Sequence, residues 1–97
     1  MNFKVEKDTL RIFLEGDINS FNSEEIEKEI EKILKENTFK KIVLDLEKVH
    51  YISSAGLRII VRIKQQYDDT TLVKTPEKVY DIFKMVGFQN MIKIEKL

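Results

Sequence analysis

The hydroxyl pair Ser53-Ser54, followed by Gly56, is the segment whose residue types best suit chemistry. It comes directly after an apolar run and opens a helical pattern, so both hydroxyls stand at a helix start. Free backbone N–H groups and the positive end of the helix dipole favour negative charge there. A phosphate on Ser54 is therefore tolerated locally. Gly56 has no side chain, so another backbone or a bulky group can approach the first turn closely. Taken alone, a Ser-Ser pair before a helix is also ordinary N-cap chemistry. His50 is the one imidazole of the chain and lies just before the pair. It offers a base for Ser54 in principle, and a surface or half-buried loop residue otherwise. A serine hydrolase needs that base oriented by a third group. The Gly-x-Ser-x-Gly elbow is absent. No catalytic residue is assigned on this basis, and none of the spacing points to a cofactor.

The elements that position these residues follow from periodicity. Phe3 to Glu6 alternates apolar and polar like a half-buried strand, and Leu10 to Glu15 repeats the pattern after Lys7-Asp8. The two read as an antiparallel hairpin. Gly16 is expected to end the second strand and open a loop from Asp17 to Phe21. Asn22 or Ser23 then caps a helix whose first turn holds Glu24 and Glu25. Its apolar stripe is Ile26, Ile30, Ile33 and Leu34, and Glu24–Lys28 and Glu31–Lys35 pair on the other face. Ile42 to Leu46 is nearly continuous apolar sequence, which predicts a central strand covered on both faces.

A loop through His50 and Tyr51 is expected to lead to a helix from Ser54 to Tyr67, with Leu57, Ile59, Ile60, Val61 and Ile63 buried. Thr71 to Val73 reads as a short strand. Thr75 then caps a third helix, with Pro76 at its first position. Val79, Ile82, Phe83 and Val86 form its core face, and Gly87 its C-terminal cap. Met91 to Ile94 is the last strand. The order β-β-α-β-α-β-α-β predicts an α/β domain with an N-terminal hairpin and a mostly parallel central sheet. In such sheets sites lie beyond the carboxyl ends of the strands. The loops Asp17–Phe21 and His50–Ser54 qualify and are expected to be neighbours. Arg58 and Arg62, one turn apart, face either solvent or a partner. Phe88 and Met91 form an apolar patch or pack on the third helix.

Length and charge narrow the classes. Ninety-seven residues make a single domain, 1–97. Seventeen basic and seventeen acidic side chains cancel, which leaves no electrostatic footprint for nucleic acid or an anionic membrane. No cysteine is present, so disulfides and thiolate metal sites are excluded. The N-terminus has no apolar signal core, and no apolar run approaches the roughly 20 residues needed to span a bilayer. A cytoplasmic location is the expectation.

The segment from Asp45 to Arg58 closely resembles the signature of the STAS domain family, best known as bacterial anti-sigma factor antagonists. Members have a strand ending in Asp-Leu or Asn-Leu, then an Asp/Ser-Ser-Ser/Ala-Gly-Leu motif opening a helix. Gly16-Asp17-Ile18-Asn19 resembles the family's Gly-acidic-Leu/Ile-Asp element, and Phe83 to Phe88 resembles the Phe/Leu-rich end of its helix before the last strand. The resemblance covers nearly the whole chain and implies a single STAS-like domain. It implies a protein that binds an anti-sigma factor, often itself a serine kinase, and so frees a sigma factor. The kinase phosphorylates the motif serine, the complex separates, and a phosphatase restores the active form. The phosphoacceptor then falls on Ser54, and the partner-binding residues on Asp17, Asn19, Ser53, Ser54, Gly56, Leu57 and Arg58. The chain is expected to be a monomer or weak dimer, without nucleic acid or membrane as direct partner.

Four features depart from the family. Ser53 replaces a frequent Asp before the phosphoserine. Asn19 replaces an Asp, and an amide can hold a hydrogen bond but no charge. Gln65 to Thr71 is shorter than usual, without a Gly-rich turn. The sequence ends at Leu97, so no counterpart of the usual C-terminal helix is expected. Asn19 and Ser53 keep a second reading open: a constitutive scaffold or regulatory subunit of a signalling or transport assembly.

Overall fold

Alternating residues build the strand on which the sheet rests. β2 (Thr9–Ile18) buries Leu10, Ile12 and Leu14 and leaves Thr9, Arg11 and Phe13 half-exposed between them, as a two-residue repeat requires. The computed structural model describes residues 1–97. β1 (Asn2–Glu6) pairs antiparallel with β2. The chain continues through α1 (Ser23–Glu36), β3 (Lys41–Ile52), α2 (Ser54–Gln66), β4 (Thr70–Thr75), α3 (Glu77–Met85), a 3-10 turn (Phe88–Asn90) and β5 (Lys93–Lys96). The sheet order is β1-β2-β3-β4-β5, and β2 to β5 are parallel. This is the expected α/β arrangement, in the expected element order.

The expected cover of β3 on both faces is not found. Each parallel connection steps to the adjacent strand in the same direction, so right-handed crossovers lay all three helices on one face. β3 is therefore covered on one side only. Ile42, Leu44 and Leu46 lie fully buried, whereas Val43 between them is half-exposed. On that uncovered side Asp45 is nevertheless only 4 % exposed. Its Oδ2 accepts from Arg11 Nε at 3.1 Å and Nη2 at 2.6 Å. Its Oδ1 accepts from the Glu47 N–H at 3.0 Å. The β2–β3 register shifts at this point, from Phe13↔Asp45 to Glu15↔Lys48. The carboxylate thus satisfies a backbone donor inside the irregularity while holding the guanidinium above the sheet. Arg11 in turn lies 5.6 Å from the centre of the Phe13 ring.

The core between sheet and helices joins Ile30, Ile33 and Leu34 of α1, Ile59, Ile60 and Ile63 of α2, and Val79 and Phe83 of α3. Phe88 is buried too, its ring stacked on Phe83 at 5.3 Å. Packing on the third helix is thus the correct alternative for Phe88, while Met91 remains exposed. Val86 is exposed, not core. Pro76 holds the N-cap position of α3, and Thr75, still in β4, makes no cap: its buried Oγ1 has no hydrogen-bond partner. Gly87 does take the left-handed conformation of a helix terminus, with φ 75°. The 3-10 turn occupies 88–90, so β5 starts at Lys93, later than expected. Glu24 and Lys28 pair at 3.5 Å, whereas Glu31 and Lys35 form no ion pair. β1 is exposed along its whole length, not half-buried, because it is an edge strand that the helices do not reach. There Lys4 holds the Glu6 carboxyl below its ordinary range by hydrogen bond and charge, and Arg11 adds to this. That contribution is present above the ordinary carboxylate pKa and is lost as the pH falls through the lowered one.

Asp45→Ala removes the partner of a half-buried guanidinium and the acceptor of the Glu47 N–H. It should cost about 2 kcal/mol, or roughly 10 °C in Tm. Asp45→Asn keeps an acceptor for Glu47 and should lose less. Thermal unfolding followed by circular dichroism measures both.

Candidate partner-binding site

The ends of β2 and β3 lie side by side. Asp17 pairs with Tyr51 and Ile18 with Ile52, and the Ser53 N–H donates to the Ile18 carbonyl at 2.8 Å. The two segments expected as neighbouring loops are indeed neighbours, but Asp17 and Ile18 of the first and His50 to Ile52 of the second are strand. Gly16, with φ 78°, does not end β2. It allows a second register shift, and pairing resumes at Asp17. His50 and Tyr51 likewise belong to β3, and the connection to α2 is Ser53 alone.

Ser53 is the N-cap of α2. Its backbone is extended, and its Oγ accepts from the Gly56 N–H at 3.4 Å. Its carbonyl accepts from the Leu57 N–H at 2.9 Å. Ser54 is the first helical residue and is exposed, with no hydrogen bond to its hydroxyl from within the chain. The N–H groups of Ser54 and Ala55 have no intrahelical acceptor, by helix geometry. The first turn of α1 carries Glu24 and Glu25, but that of α2 has no acidic residue. The positive end of α2 is thus uncompensated beside an unengaged hydroxyl.

Gly56 faces inward. A Cβ built there would lie 2.6 Å from Ile52 Cγ1 and 2.8 Å from Ile18 Cγ2. The bulky group that approaches this turn is the protein's own core, and the glycine lets α2 rest on the ends of β2 and β3.

Two asparagines brace the turn between β2 and α1. Asn19 Oδ1 accepts from the N–H of Phe21 at 2.9 Å and of Asn22 at 3.2 Å. Asn22 Oδ1 accepts from the Asn19 N–H at 2.9 Å, and its Nδ2 donates to the Asp17 carbonyl at 2.7 Å. The Asn22 side chain therefore ties the turn together and does not cap α1. Asn19 is used as a neutral acceptor. The turn holds Phe21 97 % exposed. Phe21 and the half-exposed Tyr51 flank the motif, and neither was expected to matter at the site. The available signal was a large apolar residue set among turn-forming Asn and Ser.

Among the remaining expected residues, Asp17 and Arg58 are exposed and Leu57 is half-buried against the core. Arg58 forms no ion pair. Arg62 is engaged, with Nη1 at 2.7 and 2.8 Å from the two Glu27 carboxylate oxygens, which ties α2 to α1. His50 is exposed on β3, and no side chain hydrogen-bonds it. No helix of the chain is long and apolar enough to cross a membrane.

The profile of the STAS domain family matches residues 1–96. The chain is 31 % identical over 85 residues to BtrV of Bordetella bronchiseptica, a protein assigned as an anti-sigma factor antagonist, covering 84 % of this chain and 72 % of that one. A crystal structure from Thermotoga maritima with the same assignment superimposes with a TM-score of 0.87, at 24 % identity, over 99 % of this chain and 86 % of that one. The anti-sigma factor antagonist SpoIIAA in its unphosphorylated form gives 0.73 at 18 % identity, over 96 % and 87 %. SpoIIAA of Bacillus has also been solved in its phosphorylated form. The fold is shared by a sulfate transporter family protein from Wolinella succinogenes, with a TM-score of 0.76 at 14 % identity, over 95 % and 80 %. This chain belongs to the STAS domain family.

Gly56→Ala gains helix propensity of about 1 kcal/mol but forces two core isoleucines apart, at a cost of about 1–3 kcal/mol. A net loss of Tm is expected. Ile52→Ala removes the colliding Cγ1, so the double variant Gly56→Ala/Ile52→Ala should lose less than the two single variants Gly56→Ala and Ile52→Ala lose together. Denaturant titration of the three variants checks the coupling.

Proposed function

We propose that this chain is an anti-sigma factor antagonist that binds an anti-sigma factor with serine kinase activity and is released when Ser54 is phosphorylated. The observation that carries this reading is the division of labour between the two serines. Ser53 is committed to the cap, while Ser54 is exposed and unengaged at the uncompensated start of α2. The 31 % identity to a protein assigned to the same role supports it. The binding surface comprises the motif and its neighbours: Asp17 and the Asn19 turn, Ser53, Ser54, Leu57 and Arg58, with Gly56 supporting them from inside. A phosphatase regenerates the unmodified form. The work is done in the cytoplasm, by binding and not by catalysis on the chain's own residues.

The magnitudes agree with such a switch. A hundredfold loss of affinity needs about 2.7 kcal/mol. An exposed charge pair supplies only about 0–1 kcal/mol. Desolvating a phosphate without a matched cation costs several kcal/mol. Ser54 therefore belongs inside the interface, not at its rim.

A second reading, a constitutive scaffold or regulatory subunit, is favoured by one observation. The Asn19 amide is spent on bracing its own loop and supplies no carboxylate beside the motif.

Wild type, Ser54→Ala and Ser54→Asp serve as affinity baits in lysate of the native host, with retained proteins identified by mass spectrometry. Wild type and Ser54→Ala should retain an ATP-binding serine kinase, and Ser54→Asp should lose it about a hundredfold. Incubated with that kinase and ATP, wild type and Ser53→Ala should acquire one phosphate and Ser54→Ala none. Equal retention by all three baits would move the scaffold reading ahead.

A further inference from the structure

β1 is one edge of the sheet, with a neighbour on one side only. All of its residues are exposed, including Phe3 at 42 % and Val5 at 39 %. Phe3 lies opposite Ile12 and Val5 opposite Leu10, so both stand on the helix-bearing face where the cover has run out. Natural edge strands are blunted by unpaired charge, proline, a bulge or short length. β1 has no proline, and its pairing with β2 is free of register shifts. Its two charges, Lys4 and Glu6, are 2.6 Å apart and offset each other. The opposite edge differs: β5 has four residues, three of them charged, and its Ile94 packs against the core.

Among two-fold registers centred on Phe3, Lys4 and Val5, one matches the charges of this edge. About a two-fold axis normal to the sheet, residues opposite each other must share a face, so the axis passes through a residue. An axis at Lys4 sets Lys4 against Lys4, and like charges directly opposite are destabilising. An axis at Phe3 sets Lys4 against Asn2 and leaves Glu6 without a cation across the strand. An axis at Val5 sets each Lys4 against Glu6 of the other copy, twice. Together with the pairs already made within each strand, this closes a ring of four alternating charges. On the other face Val5 meets Val5, and each Phe3 is diagonal to Val5 of the other copy, within aromatic reach.

We propose that this chain self-associates through β1, two copies pairing antiparallel about Val5 into one continuous sheet. β2 separates β1 from β3, and Ser54 opens the helix that follows β3, so the pairing leaves the Ser54 surface free. A single edge is smaller than a standard interface, and the dissociation constant should be on the order of 0.1 mM.

The absence of cysteine makes the test direct, because Val5→Cys puts one thiol on each chain. Directly opposite residues have Cα atoms about 4.5–5.5 Å apart, within the disulfide range of about 4.4–6.8 Å. In the same register the two positions 3 are separated by roughly 13 Å along the strands. Val5→Cys should oxidise to a covalent dimer about tenfold faster than Phe3→Cys. In sedimentation, wild type should dimerise, and Lys4→Glu and Glu6→Lys should each stay monomeric alone. Their equimolar mixture should dimerise, since every acid then faces a base. Circular dichroism establishes that each variant is folded. The proposal is overturned if wild type stays monomeric at millimolar concentration or if positions 3 and 5 oxidise equally. A mixture that fails to associate overturns it too, as does open-ended growth, which would mean β1 pairing with β5.

Discussion

The start of α2 rests on the ends of β2 and β3 with no space for a side chain between them, and the geometry of the site depends on that contact. Gly56 sits against Ile18 and Ile52 at distances that no Cβ tolerates. The same two isoleucines are paired across the strands, and the Ile18 carbonyl receives the Ser53 N–H. One packing constraint therefore fixes the strand ends, the cap residue and the direction in which Ser54 leaves the helix. The Asn19 turn is anchored to the same place, because it begins directly after Ile18. Motif and turn are two outlets of a single rigid junction.

A parallel sheet covered on one side leaves the other side to be managed. Parallel strands are ordinarily buried on both faces. Here the second layer is replaced locally by an ion pair lying on the sheet, in which Asp45 is buried by Arg11 and by the irregularity it stabilises. The arrangement explains why an acid interrupts an otherwise apolar strand. A buried ion pair of this kind adds little net stability over apolar packing, but removal of either partner strands the other. The pair fixes the shift in register that carries β3 onward to Ile52, and so connects the open face with the site.

The sequence made the element order, the core stripes of α1 and α2 and the location of the motif legible, because periodicity and a helix-start signature report these directly. It misplaced the strand ends. Gly16 and His50-Tyr51 carry turn-like or neutral local signals, and the pairing of β2 with β3 overrides them through a bulge that only the partner strand can specify. The one-sided cover of β3 was misread for a related reason. A nearly continuous apolar run looks the same whether a helix or a guanidinium lies above it, and Arg11 is distant in sequence from Asp45. Thr75 and Pro76 show the limit of cap rules, since both are good helix-start residues and tertiary packing decides between them. Phe21 is not legible in the sequence, because an exposed aromatic has no periodicity to betray it.

The same junction separates what a phosphate on Ser54 would do to the fold from what it would do to binding. Ser54 contributes no packing and no hydrogen bond, and Ser53 alone satisfies the cap. Added negative charge at this place meets unfilled N–H groups and the positive end of a helix whose own first turn carries no acidic side chain. The modified chain is therefore held in the same fold, and its stability changes little. A partner surface pressed onto that position meets instead a bulky dianion whose hydration must be stripped. A modification that is nearly neutral for folding and costly for association is what a reversible binding switch requires. The cap by Ser53 and the glycine behind it are the two features that keep these effects apart.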